Sequence, residues 1–79
     1  MENNLDEFEE KLIKKIFKLA IEKFDGNNSL FARKAKCSEA SIRRIYSGKQ
    51  RMTFNMLLKL CNALDIELIN LLEDLKKHN

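Results

Sequence analysis

Between Arg33 and Arg51 the chain carries seven arginines and lysines against a single acid, Glu39. Side chains of this kind do no covalent chemistry by themselves; at this density they bind polyanions. Lysines act as point charges and arginines as planar forks. Such a fork matches the O6 and N7 acceptors of guanine. The wider charge pattern agrees: residues 1–10 carry a net −5, residues 11–59 a net +10 and residues 60–79 a net −2. Lys11, Lys14, Lys15 and Lys18 fit a solvated helix surface, but the run from Arg33 to Arg51 fits that description less well.

Little else in the chain has chemistry to offer. No carboxylate pair, cysteine–histidine arrangement or glycine-rich phosphate loop is present, and the only glycines are Gly26 and Gly48. His78 is the one histidine, and Cys37 and Cys61 lie 24 residues apart outside any CxxC pair, which leaves no zinc spacing. Both cysteines read as small apolar core residues in a reducing cytoplasm. The acidic N-terminus lacks the pattern of a secretory signal, and no apolar run approaches the roughly 20 residues of a membrane span. The expectation is a protein without enzymatic activity, cofactor, metal or membrane segment.

The elements that must position the arginines are helices. Apolar periodicity predicts five and no strand, in one domain over 11–76. Residues 1–10 are an acidic extension or the start of the first helix, and 77–79 are a tail. The first helix repeats Leu12, Ile16, Leu19 and Ala20, widened by Ile13, Phe17 and Phe24, with Leu5 and Phe8 available to extend it backwards. Asp25-Gly26-Asn27-Asn28 ends it, and Asn27 or Asn28 caps a second helix through Ala35. Ser38 caps a third, over 39–47, closed by Gly48. Thr53 caps a fourth whose face is Phe54, Leu57, Leu58, Cys61 and Leu64; Asp65 breaks the chain before a fifth, over 68–76.

The second and third helices are too short to bury a face alone, so they must cross and share one. Ala32 allows the close approach; Phe31, Ala35, Cys37, Ile42 and Ile45 fill the space around it. Ala40, Arg43, Arg44 and Ser47 then face outward on a helix whose width suits the DNA major groove.

These residues carry a resemblance. F-A-x-x-A-x-C-S-x-x-x-I-x-x-I-x-x-G-K, followed by L-L-K-L-C-N-A-L-D-I-x-L, resembles the Xre/Cro-like, lambda-repressor-like helix-turn-helix regulators. The likeness covers about residues 12–75 and implies an all-α, compact five-helix fold with the helix-turn-helix at about residues 28–47. Three positions depart from the family pattern. Lys36 stands where the turn usually has glycine and must adopt positive φ. Asn28 replaces a frequent glutamine. Tyr46 replaces a frequent glutamate whose arginine partner aligns with Ile21, so Tyr46 is expected to pack on the first helix near Ile21.

The resemblance also implies contacts. The family's base-reading positions fall on Glu39, Ala40 and Arg44, with Arg43 reaching either a base or the backbone. Ala40 suits a thymine methyl, and Glu39 either accepts from cytosine N4 or stabilises the helix dipole. Asn28, Ser29, Lys36, Ser47, Lys49, Arg51 and Asn55 suit phosphate oxygens, although any single lysine among them has solvated surface as its alternative. The fifth helix is apolar around most of its girth. One side is expected to seal the core, and the surplus of Leu68, Leu71, Leu72 and Leu75 to pair two subunits.

Two functions fit. One is a cytoplasmic, sequence-specific transcriptional regulator of bacterial, phage or plasmid type, a repressor or autoregulator that binds a near-palindromic operator in double-stranded DNA as a homodimer. The other is an antitoxin-like module whose main partner is another protein.

Overall fold

The computed structural model describes residues 7–77; Leu5, with residues 1–6, and the tail residues His78 and Asn79 lie outside it. Among the described residues there are five helices and no strand: α1 (Glu7–Phe24), α2 (Asn28–Ala35), α3 (Glu39–Tyr46), α4 (Phe54–Ala63) and α5 (Leu68–Lys77).

Helix ends are set by local chemistry. Asn27 caps α2 by accepting from the Leu30 N–H at 3.0 Å, Ser38 caps α3 through Ser41 at 3.1 Å, and Thr53 caps α4 through Met56 at 3.0 Å. Between the two asparagines offered by the sequence, Asn27 is the cap and Asn28 the first helical residue. Joints that reverse the chain use positive φ. After α1 it falls on Asp25 and Gly26, after α2 on Lys36, after α3 on Gly48, and after α4 on Asp65. Lys23 Nζ reaches Asp65 at 2.9 Å, tying the end of α1 to the α4–α5 joint.

The core lies where the five helices meet. Phe31, Ile16, Ile42, Ile45, Leu60 and Leu71 are its largest fully buried side chains. Phe31 stacks on Phe24 with ring centroids 5.4 Å apart. α2 packs on α1, α3 and α4 at once, which explains the small Ala32 and Ala35 on its buried face. Cys61 is buried and Cys37 half-buried, and both are free thiols. Burial pushes both thiols up from the ordinary cysteine range, with Lys59 opposing the shift at Cys37.

Two expectations need correction. Phe54 and Leu58 do not join the buried face of α4; they are exposed, and the face is Leu57, Leu60, Cys61, Ala63 and Leu64. The fourth helix is apolar on several sides, and tertiary packing, with α2 among its neighbours, selects which side turns inward. Leu71 and Leu75, expected to contribute to a subunit interface, belong to the core: Leu71 is 0% exposed and Leu75 nearly as buried. With their i, i+4 spacing they are the stripe α5 uses to close its own domain. Leu68 and Leu72 are half-buried against the same core, and Ile69, 62% exposed, points away from it.

Candidate nucleic-acid interface

α3 is eight residues long, about 12 Å at 1.5 Å per residue, comparable with the width of a major groove. Its inner face is fixed by Ile42 and Ile45, both buried. Its approach to α2 is set by the turn: Lys36 sits at φ 60, ψ 46, and the Cys37 N–H donates to the Ala32 carbonyl at 3.0 Å. A lysine in that left-handed position costs on the order of 1 kcal/mol, and it carries its ammonium on the exposed side of the turn.

With the inner face buried, the outer one is determined. Arg43, Arg44 and Ser47 are exposed, and Glu39 and Ala40 partly so. The arginines are already engaged. Arg43 pairs with the Glu39 carboxylate at 2.7 Å, one turn back on the same helix. Arg44 donates from Nε to Gln50 Oε1 at 3.0 Å, while its own carbonyl accepts from the Lys49 and Gln50 N–H groups and from Ser47 Oγ. The chain after α3 therefore folds back on Arg44 and holds Lys49, exposed, beside the outer face of α3.

The remaining residues expected at phosphates lie at helix starts and loops around α3. Asn28 and Ser29 occupy the first turn of α2, where backbone N–H groups point out of the helix end. Asn55 occupies the same place in α4 and is exposed.

A family model for the Cro/C1-type HTH DNA-binding domain matches residues 15–77. The chain belongs to that family. It is thus a helix-turn-helix DNA-binding regulator. Comparison with curated proteins and with solved structures gave no match.

Three side chains of this Cro/C1-type domain have roles that its sequence did not show. Gln50 orients Arg44. Glu9, in the first turn of α1, grips Arg51 through two contacts, Oε1 to a terminal guanidinium nitrogen at 2.7 Å and Oε2 to Nε at 3.1 Å. Phe17 receives Tyr46: their rings meet edge to face with centroids 4.8 Å apart. Tyr46 does pack on α1, but one turn before the expected Ile21, which is exposed. Only the first of these had a local signal, a polar residue just past Gly48. The other two join segments far apart in the chain.

In the Cro/C1-type domain Tyr46 also anchors the end of α3. Its ring lines a cleft of about 220 Å³ with Ile13, Lys14 and Phe17, and its hydroxyl is buried without a hydrogen-bond partner among the described residues. Burial pushes the phenol from 10.0 up to about 12. Below pH 10 the phenol is protonated whether the chain is folded or unfolded, and its contribution to stability is intact. As pH climbs from 10 towards about 12 the unfolded chain ionises first, so stability falls across that window. Tyr46→Phe is expected to add about 1 kcal/mol by removing the unpaired hydroxyl and to abolish this share of the alkaline loss. Melting temperatures of both proteins across that pH range check it. As the chain has one tyrosine and no tryptophan, phenolate absorbance follows the same group directly. Parallel melting curves for the two proteins above pH 10 would contradict the assignment.

Proposed function

We propose that this protein is a sequence-specific transcriptional regulator, a repressor or autoregulator, that binds a near-palindromic operator as a homodimer. The observation that carries this reading is the outer face of α3: Arg43 and Arg44 project from a helix whose opposite side buries Ile42 and Ile45. Arg44, Ala40 and Arg43, with Glu39, read base edges in the major groove. Asn28, Ser29, Lys36, Ser47, Lys49, Arg51 and Asn55 hold the backbone. No described helix is long and apolar enough to cross a membrane.

Selection of a bound motif from random DNA, followed by a salt series, tests this reading. With about five to seven phosphate contacts per subunit, log Kd against log salt should change with a slope near 0.9 per neutralised phosphate. A nearly flat dependence would favour an antitoxin-like protein partner.

Dimerisation supplies the half-site spacing of about 34 Å that one short helix cannot read alone. On α5 the surface available for it is Ile69 with the half-buried Leu68 and Leu72 at its edges. Sedimentation at micromolar concentration should show a dimer. Ile69→Glu should return it to a monomer with helical content unchanged, because the side chain it replaces lies in solvent. A monomeric wild-type protein would remove the homodimer from the proposal.

A further inference from the structure

We propose that Glu9 sets the DNA affinity of this domain by competing with backbone phosphate for Arg51, an inference that rests on the DNA-binding reading above. The two contacts between them occupy Nε and a terminal nitrogen of the guanidinium, the edge with which arginine grips a phosphate in bidentate fashion. Glu9 therefore stands in the place of a phosphate.

The surroundings favour competition over a passive surface ion pair. The Glu9 side chain is only 13% exposed, whereas that of Arg51 is 64% exposed. The carboxylate is thus seated in the protein, in a groove it lines with Phe8, Leu12, Met52 and Phe54, and the arginine reaches across to it. Arg51 stands between Lys49 and Asn55, on the segment that leads from α3 into α4. A phosphate approaching this segment meets a guanidinium whose charge is already balanced. Glu7 and Glu10 add to the negative field in the same turn of α1. Much of the gain from neutralising a phosphate is release of condensed cations, and an arginine shared with a carboxylate releases fewer. The acidic start of α1 thereby acts on the basic middle through a residue pair 42 positions apart in sequence.

Glu9→Gln keeps the shape of the side chain and removes its charge. The experiment is a double-mutant cycle of wild type, Glu9→Gln, Arg51→Ala and the double variant. Each is titrated with the selected operator and with random duplex DNA across a salt series, and thermal melting confirms that each is folded. Glu9→Ala serves as a second removal of the carboxylate. Glu9→Gln should tighten binding to both DNAs alike, by about threefold at physiological salt, and steepen the salt slope by about 0.9 per subunit. In the Arg51→Ala background the same change should do nothing. Unchanged or weaker binding by Glu9→Gln, with wild type binding DNA normally, overturns the proposal alone. So does an equal gain with and without Arg51, which would be a general charge effect. Binding by none of the four proteins overturns this proposal and the DNA-binding reading together.

Discussion

Leu71→Glu is expected to unfold the protein. Leu71 is 0% exposed in the core, and truncating such a leucine to alanine already costs about 2–5 kcal/mol. Placing an unpaired carboxylate there adds the cost of burying a charge, against a total stability on the order of 5–10 kcal/mol for a small domain. Circular dichroism should show the loss of helix at room temperature, and Leu71→Ala should melt at least about 10 °C below wild type. Ile69, two positions away and exposed, provides the contrast: Ile69→Ala should change the stability of the protomer by about 0.5 kcal/mol or less. A folded Leu71→Glu monomer would mean that α5 packs in another register and that the leucine is available to a partner.

Arg44→Ala should weaken binding to the operator by about 5- to 150-fold, the equivalent of roughly 1–3 kcal/mol for one bidentate arginine–guanine pair. Affinity for random DNA should barely change, and specificity should relax at one position in each half-site. Lys49→Ala should do the opposite, weakening both DNAs alike and lowering the salt slope by about one unit per subunit. Melting should be nearly unaffected by either change, since both side chains are exposed. The Arg44 hydrogen bond to Gln50 Oε1 makes Gln50→Ala an informative companion: it leaves the charge in place and removes only the group that aims it. Loss of operator and random binding together in Arg44→Ala would make that guanidinium a backbone holder and Arg43 the better candidate reader.

How much of this was legible in the chain depends on the range of each interaction. Caps at Ser38 and Thr53, positive φ at Lys36 and a break at Asp65 follow from groups within a few residues of each other, and they stand where the sequence puts them; the positive φ at Asp65 is seen only in the structure. The burial of Phe31, Ala32, Ala35, Ile42 and Ile45 was equally readable, because each short helix has only one apolar side. In α4 and α5 apolar residues occur on several sides. Periodicity there offers more than one inward face, and tertiary packing chose against Phe54, Leu58 and Ile69. Tyr46 was placed on the correct helix but one turn off, because alignment to a lost ion pair locates a partner position and not the best aromatic contact. The Glu9–Arg51 pair had no sequence signal: it depends on where α1 starts relative to the loop before α4, which no local pattern encodes.

Asp25, Lys36 and Asp65 hold three of the domain's reversals in a left-handed conformation that glycine would adopt without strain. At about 1 kcal/mol each, they remove a sizeable part of the stability reserve of so small a fold. Typical substitutions destabilise by about 1 kcal/mol, and proteins persist only above a threshold. The domain consequently tolerates about three fewer random changes elsewhere than a glycine-jointed equivalent. Its sequence can drift at surface positions such as Lys14, Lys18 and Glu22, while core replacements survive only after a joint has relaxed. Lys36 is the joint at which such relaxation would also remove a positive charge from the turn.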